Sequence, residues 1–283
     1  MSPDHEETAG GAPTSEPAET PWQLKMFSKT LKKQQKLALL LRQIGDTDGK
    51  RCILVTNGDN NGALNYHFRA HGGDWSWVEN EDDNINEMQL LLGETVHKGE
   101  PERIPFDDES FDVVVTIDVH EHLEDCSDFN GELRRVSRPG GMVVVTTPNG
   151  DAYKPVTILK NAIGMGKKNY GHVVVGYNAK QHCAMLEQVG LEPQSASSYS
   201  KFFTEMLELA INFAYVKVLS KKSKTEVKQG TIAPTSSEQL ESVRKQYKMY
   251  ALVYPFLYVI SRLDLLLFFF TGYAVSVAAL RLA

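Results

Sequence analysis

The sequence of 283 residues contains only three cysteines, and it has no run of twenty apolar residues that is free of charged side chains. The cysteines, Cys52, Cys126 and Cys183, lie far apart and form no C-x-x-C pair. This spacing argues against a disulfide framework and against a zinc site, and it fits the reducing cytosol.

An apolar secretory signal is also missing from the N-terminal segment. Residues 1–21 are acidic and rich in proline, alanine and threonine, a composition typical of a disordered tail. We therefore expect a cytoplasmic protein whose folded part begins near residue 22.

Basic charge is scarce in the first half of the chain. Residues 1–150 hold 14 Lys and Arg against 27 Asp and Glu, whereas residues 151–283 hold 16 against 9. The acidic first half argues against nucleic acid as a partner. The second half is basic and rich in apolar residues, which favours contact with an anionic lipid surface.

Short apolar segments alternate with helical patterns between residues 22 and 198. The strand patterns are RCILV (51–55), WSWVE (75–79), FDVVVTI (111–117) and MVVVTT (142–147). This alternation predicts an α/β fold with a doubly wound, mostly parallel sheet. We also expect a helix over 22–45, a loop over 151–178 and an apolar helix over 202–219.

Four motifs follow one another in this region: LVTNGDNNG (54–62), Glu79, GEPERIPF (99–106) followed by SFDVV (110–114), and RRV (134–136) followed by RPGG (138–141). Together they resemble the class I S-adenosylmethionine (SAM) dependent methyltransferases of the methyltransferase 11 type, over about residues 40–190. The resemblance implies a Rossmann-like sheet, SAM as the cofactor and methyl transfer as the activity. The chain is also similar to a bacterial group of such enzymes.

The resemblance implies a set of cofactor-binding residues at the carboxyl ends of the strands, where doubly wound folds bind nucleotides. Glu79 would accept hydrogen bonds from the ribose hydroxyls, and Glu100 from the adenine amine. The turn after the first strand would bring backbone amides to the cofactor. The full set is Thr56, Gly58, Asn60, Gly62, Glu79, Glu100, Pro101 and Asp118.

The turn departs from the family pattern at two positions. Thr56 stands where the family has an acidic residue, and Asn60 stands where it has its middle glycine. Asparagine tolerates a positive φ better than most residues, so the turn remains feasible. The loss of the acid weakens the argument for tight SAM binding.

Candidate acceptor-side residues follow the strand patterns FDVVVTI (111–117) and MVVVTT (142–147). Asp118, Glu121 and His122 resemble the E-x-x-E-H segment of the ubiquinone-biosynthesis O-methyltransferases, which implies a divalent metal in that group. The Glu-His pair is common across the wider family, however, and we predict no metal here. Transfer to a hydroxyl needs a base, and histidine suits that role near neutral pH. His172 is the first candidate and His122 the second, although a loop histidine can equally serve to bond the backbone.

The C-terminal region, residues 199–283, is strongly apolar. Segments 249–261 and 265–280 are separated by Arg262-Leu263-Asp264, and neither reaches the length of a membrane span. Placing both charges at mid-bilayer would be costly. We expect a re-entrant or surface-embedded helical pair, with Arg262 to Asp264 at head-group depth and three tyrosine hydroxyls near water. The alternative is that these helices pack on the rest of the protein, or on a second subunit, as ordinary core. The tyrosines are Tyr250, Tyr254 and Tyr258, and nearby Lys221, Lys222, Lys224 and Lys228 would face anionic lipid.

Three functions follow from these features. The first is SAM-dependent methylation of a hydroxyl on a lipid, quinone, isoprenoid or lipid-linked sugar, at the inner face of a membrane. The second is a soluble small-molecule methyltransferase whose apolar C-terminal region is a dimer interface. The third is a non-catalytic, membrane-attached binding module. The acceptor, the methylated atom and the oligomeric state stay open.

Overall fold

The computed structural model describes residues 20–58, 60–216, 240–241 and 244–283, which build one seven-stranded sheet with helices on both faces. The strands are β1 Arg51–Thr56, β2 Asp74–Glu79, β3 Val96–Lys98, β4 Phe111–Ile117, β5 Ser137–Pro148, β6 Leu191–Tyr199 and β7 Ala274–Arg281. Their order across the sheet is β3-β2-β1-β4-β5-β7-β6. Strands β1 to β5 pair in parallel, whereas β7 runs antiparallel to both β5 and β6. The predicted α/β fold with a doubly wound, mostly parallel sheet is confirmed.

The helices follow the predicted pattern with shifted ends. They are α1 Trp22–Phe27, α2 Leu31–Ile44, α3 Ala63–Ala70, α4 Asp82–Leu92, α5 Ser127–Val136, α6 Pro155–Ala162, α7 Ala179–Gln188, α8 Phe202–Ala214 and α9 Arg244–Ser261. Short 3-10 turns cover His120–His122, Lys167–Tyr170 and Arg262–Leu266. The single helix predicted over 22–45 is two helices, α1 and α2. The loop predicted over 151–178 contains α6.

Two apolar layers hold the sheet between its helices. On one face, the strands pack against α2, α3 and α4, for example through Leu40, Phe68 and Met88. On the other face, they pack against α5 and α7, for example through Phe129 and Leu186. Because both faces are covered, β1 and β4 are buried at nearly every position, as expected for central parallel strands.

The C-terminal end of the chain differs from the prediction. Residues 274–281 form β7, and its residues up to Ala279 are buried between β5 and β6. The prediction of a second apolar helix over 265–280 is therefore wrong. The apolar residues of 274–279 are instead buried in a strand inside the sheet. Strand β7 thus belongs to the sheet although it lies beyond the predicted domain boundary at residue 198.

The residues between the two apolar segments also serve the folded protein. The Asp264 carboxylate is buried and accepts hydrogen bonds from the amides of Lys201, Phe203 and Thr204 at the start of α8. It therefore caps that helix, and it faces the protein and not water, contrary to prediction.

Two of the three tyrosines also face the protein and not water, contrary to prediction. The Tyr250 hydroxyl donates to the Lys29 carbonyl, and the Tyr254 hydroxyl accepts from the Gln34 amide. These contacts fasten α9 to the segment around α1 and α2. The predicted lysines at 221, 222, 224 and 228 lie outside the described residues, as does most of the predicted N-terminal tail.

Residues Arg244–Leu266 form a helical segment of 23 residues, long and apolar enough to cross a membrane by length and composition alone. Only 17% of its most apolar window is buried inside the protein. The segment therefore has a protein-facing side, which carries Tyr250 and Tyr254, and a large outward-facing side.

Candidate active site

One large cavity opens at the carboxyl ends of the parallel strands, with a volume of about 1030 Å³. Its inner end is formed by the turn after β1 and by the residues that follow β4. Its outer end is formed by α8 and α9, through residues such as Ile211, Tyr247 and Val253. This is the switch point of the sheet, because β1 lies between β2 and β4.

The turn after β1 has the shape that a bound cofactor needs. Gly58 and Gly62 have φ values of 78° and 87°, in the left-handed region that favours glycine. A Cβ on Gly62 would lie 3.2 Å from the Met88 Cα, so glycine also allows α3 to approach α4 closely. Asn60 fixes the turn with its side chain, which accepts from the Gly62 amide and donates to Thr56 Oγ1.

Glu79 stabilises this turn through hydrogen bonds. Its carboxylate is fully buried and accepts hydrogen bonds from Thr56 Oγ1 at 2.7 Å and from the Gly58 amide at 2.7 Å. The amides of Asn80 and Glu81 also donate to it. Burial raises the pKa of Glu79 above its ordinary value. The four hydrogen bonds act to lower the pKa but do not outweigh burial. Its contact with ribose stays a prediction.

Two other carboxylates, Glu81 after β2 and Glu100 after β3, differ in whether they line the cavity. Glu81, two residues after β2, is exposed and lines the cavity. Glu100 is exposed and forms an isolated antiparallel β-bridge with Arg103. Neither Glu100 nor Pro101 lines the cavity. Sequence reasoning missed Glu81 because it is not at the motif position, and the adenine contact of Glu100 stays a prediction.

Asp118 lines the cavity where β4 ends, and it adopts a positive φ of 53°. Its backbone amide donates to the Thr146 carbonyl of β5, which fixes this unusual conformation. The Lys36 ammonium of α2 forms an ion pair with its carboxylate. Burial acts to raise the Asp118 pKa, but Lys36 outweighs it, so the pKa lies below its ordinary value. Sequence reasoning did not identify Lys36, because one lysine in a lysine-rich helix carries no signal.

Glu121, His122 and His172 come together at the cavity, although 50 residues separate His122 from His172. The Glu121 carbonyl accepts from the amides of Val173 and Val174, so the turn after β4 holds the loop that carries His172. His122 Nδ1 lies 3.2 Å from the Gly171 carbonyl. The two imidazole rings have centroids 5.1 Å apart, and both line the cavity.

The Glu121 carboxylate is the least satisfied polar group of this cluster. Its side chain is 1% exposed, and within the described residues neither of its oxygens has a hydrogen-bond partner. Its Oε1 lies 4.0 Å from Nε2 of His172. Burial raises the pKa of Glu121 well above its ordinary value, and the Asp118 carboxylate raises it further.

Burial also determines the protonation state of His172. It lowers the pKa of His172 to about 4, with a smaller contribution from the charge of His122 and an opposing one from Asp118. The imidazole is therefore neutral at pH 7 and able to accept a proton. One ligand atom from each of Glu121, His122 and His172 lies within 4.8 Å of the others, so the cluster could also hold a cation. The absence of a metal stays a prediction.

Comparisons with known proteins point to a single family. Residues 62–145 match the family model described as a methyltransferase domain. A protein of Mycolicibacterium smegmatis named "Probable S-adenosylmethionine-dependent methyltransferase" is 43% identical over 60 residues, which are 21% of this chain and 23% of that protein. Phthiotriol/phenolphthiotriol dimycocerosates methyltransferase 1 of Mycobacterium ulcerans is 32% identical over 104 residues, which are 36% of this chain and 38% of that protein. The chain thus covers less than half the length of either relative.

One solved structure has a similar fold over most of this chain. Geranyl diphosphate C-methyltransferase from Streptomyces coelicolor, in complex with Mg²⁺, geranyl diphosphate and S-adenosyl-L-homocysteine, has a TM-score of 0.51 and 11% identity. The alignment covers 88% of this chain and 79% of that chain. At this identity the likeness shows the fold alone, which agrees with the strand order described above.

Proposed function

We propose that this chain, which carries a methyltransferase domain on a class I methyltransferase fold, transfers the methyl group of SAM to a hydroxyl of a lipid-like acceptor. The observation that carries the proposal is the shape of the cavity. One continuous space joins the glycine turn after β1 to the apolar helices α8 and α9. A polar cofactor and a long apolar acceptor fit its two ends.

The inner end suits SAM. Thr56, Gly58 and Asn60 of the β1 turn line the cavity at the switch point, and Asp118 and Glu81 offer carboxylates on either side of them. A cofactor that spans the ends of β2, β1 and β4 would meet all of them. The relatives named above for SAM or for methyl transfer support this choice of cofactor. When bound, SAM supplies an electrophilic methyl group on sulfur.

The protein's own contribution to the chemistry is at His172 and Glu121. An acceptor hydroxyl must lose its proton as the oxygen attacks the methyl group in line with the S–CH₃ bond. His172 is neutral and lines the cavity, so it can take that proton. A pKa near 4 makes it a weak base on its own. In its ionised form, the Glu121 carboxylate beside it would stabilise the imidazolium that forms.

The outer surface favours a membrane-resident acceptor. Eight large apolar side chains on α9 and the segment after it are each at least 64% exposed. We call them the apolar ridge: Met249, Leu252, Phe256, Val259, Leu265, Leu266, Phe268 and Phe269. Exposed apolar patches of this kind mark interaction surfaces. Since α9 also lines the cavity, a membrane at the ridge would lie next to the acceptor entrance.

The curated relatives support a lipid acceptor independently. One is named for phthiotriol and phenolphthiotriol dimycocerosates, which are lipids. The specific acceptor of this chain is not fixed by that name, since the match covers 38% of the relative.

Two measurements test the proposal. Isothermal titration calorimetry should show SAM binding to the purified full chain, and radiolabelled SAM should transfer its methyl group into a lipid extract of the source cells. A protein that binds no SAM would instead be a non-catalytic module. A protein that methylates water-soluble extracts alone would be a small-molecule methyltransferase, with the ridge as a dimer interface.

A further inference from the structure

A buried lysine lies at the inner end of the cavity, and the proposed chemistry does not use it. The side chain of Lys36 is only 6% exposed, and its ammonium contacts Oδ2 of Asp118. Both residues line the cavity together with Thr56 and Gly58. Burying an ammonium costs hydration energy, which a partner or a ligand must offset.

The ion pair leaves hydrogen-bonding capacity unused. An ammonium has three N–H donors and a carboxylate has two acceptor oxygens. Within the described residues, Lys36 Nζ donates to a single acceptor, and Oδ1 of Asp118 receives no donor. The Asp118 side chain is 38% exposed, so this oxygen is accessible from the cavity. The pair therefore presents N–H donors and a carboxylate oxygen next to each other.

Two other lysines of α2, Lys32 and Lys33, also line the cavity. Lys32 is already engaged, since its Nζ donates to both oxygens of the buried Glu205, at 3.3 and 3.0 Å, and Lys33 has an interaction partner of its own. The partner of Lys36, by contrast, is Asp118, which itself lines the cavity at the cofactor end.

We propose that the Lys36–Asp118 pair binds the amino-acid end of SAM, with Lys36 on the α-carboxylate and Asp118 on the α-ammonium. An α-amino acid carries one acceptor and one donor group, which complement the unused positions of the pair. Because the zwitterion and the ion pair are both neutral overall, binding introduces no uncompensated buried charge. Hydrogen bonds between charged groups are also the stronger ones.

This placement orients the rest of the cofactor. Asp118 follows β4 and Glu81 follows β2, on opposite sides of β1. With its amino-acid end at Asp118, SAM would extend its adenosine across the β1 turn toward Glu81. The inference rests on the proposed function, since it assigns two residues to the binding of the same cofactor.

Calorimetry with two ligands tests the assignment. Decarboxylated SAM lacks the carboxylate and keeps the amine and the sulfonium. The wild-type protein should bind SAM at least tenfold more tightly than decarboxylated SAM. Lys36→Met should lose at least tenfold in SAM affinity while its affinity for decarboxylated SAM changes less than threefold. Lys36→Arg, which keeps a charged donor, should retain the preference for SAM.

Arg42→Met is the matched control, because it removes one positive charge from the exposed side of the same helix. It should bind both ligands as the wild type does. Equal wild-type affinity for the two ligands overturns the inference even if Lys36→Met does not fold. Equal losses for both ligands in a folded Lys36→Met protein also overturn it. A wild type that binds SAM without such a preference leaves the proposed function intact, whereas failure to bind either ligand overturns both.

Discussion

His172 and Glu121 lie side by side at the cavity, with 4.0 Å between Nε2 and Oε1, although they are 51 residues apart in the sequence. The contact is built by the backbone, since the Glu121 carbonyl holds the amides of the two residues after His172. A buried carboxylate without a hydrogen-bond partner is costly and needs a reason. Sharing a proton with an imidazole during the reaction is such a reason.

Replacing His172 by alanine should lower turnover by roughly 10²–10⁴-fold, the range expected for loss of a general base. SAM affinity should stay unchanged, because the proposed cofactor contacts lie at the β1 turn. The assay is transfer of a radiolabelled methyl group into lipid extract, with calorimetry on the same preparations. His71→Ala, which removes an exposed histidine outside the cavity, is the control. Wild-type turnover in His172→Ala would move the role to His122 or to no protein base.

Removal of divalent cations should leave methyl transfer unchanged. We predict no essential metal, although Glu121, His122 and His172 are close enough to share one. The full-length enzyme would be assayed before and after dialysis against a chelator, with its metal content measured by mass spectrometry. Activity that falls on chelation and returns with one added cation would contradict the prediction, and it would assign the partnerless oxygens of Glu121 to that ion.

Glu79→Ala should weaken SAM binding at least tenfold, or about 1.4 kcal/mol. The variant removes the acceptor of four hydrogen bonds, so the β1 turn should lose its fixed shape. Calorimetry measures the affinity, and thermal unfolding measures the accompanying loss of stability. Glu102→Ala, at an exposed position outside the cavity, is the control. Unchanged SAM affinity in Glu79→Ala would remove this residue from the cofactor site.

The sequence alone predicted the central strands and the family, because β1 and β4 are apolar runs buried on both faces and the motifs between them have fixed spacing. It did not predict β7. The segment AVSVAALR is short and apolar, and such runs do not distinguish a strand from a buried helix. Its partners β5 and β6 are also more than 70 residues away, so no local pattern indicates the pairing.

The sequence identified those cavity-lining residues that occupy motif positions. Thr56, Gly58, Asn60 and Asp118 line the cavity as their positions after strands implied. The contributions of Lys36 and Glu81 depend on which side of a helix or turn faces the cavity, and that is decided by packing. The proximity of Glu121 to His172 depends on a backbone contact between two loops, which sequence spacing does not encode.

Stability should depend on the charge of Glu205, a buried residue of α8. Its carboxylate accepts from Lys32 and from Lys160, so it ties α8 to α2 and α6. Burial acts to raise its pKa, but the two lysines outweigh burial and lower the pKa below its ordinary value. Such a group stabilises the fold above its unfolded pKa of about 4.3, and this stabilisation is lost as the pH falls toward the folded value.

Glu205→Gln should therefore reduce the free energy of unfolding at pH 7 by about 3 kcal/mol, because it leaves Lys32 without its charged partner. The difference from wild type should narrow as the pH falls below about 4. Urea unfolding at a series of pH values measures both effects. Glu192→Gln, at an exposed position on β6, should change neither. A difference that is constant with pH would show that Glu205 contributes through packing alone.

The apolar ridge should bind the full-length protein to membranes. Removing residues after 219 is not a usable test, because that truncation deletes β7 from between β5 and β6 and would unfold the sheet. Substitutions on the ridge leave the sheet intact. Leu252→Glu with Phe256→Glu places two charges on the exposed side of α9, where the side chains are 79% and 71% exposed. Each substitution removes about 2 kcal/mol of the free energy gained by burying that apolar side chain in lipid.

Wild-type protein should pellet with vesicles of phosphatidylglycerol and phosphatidylcholine, and less of it should pellet at high salt, because basic residues contribute to binding. The double variant should stay in the supernatant and keep its SAM affinity, since the cofactor end of the cavity is remote from the ridge. Leu90→Glu is the matched control, because Leu90 on α4 is 80% exposed but lies outside the ridge. Sedimentation separates the alternative. If the wild type is a stable dimer that ignores vesicles, and the double variant is a monomer, then the ridge is a subunit interface and the acceptor reaches the cavity from water.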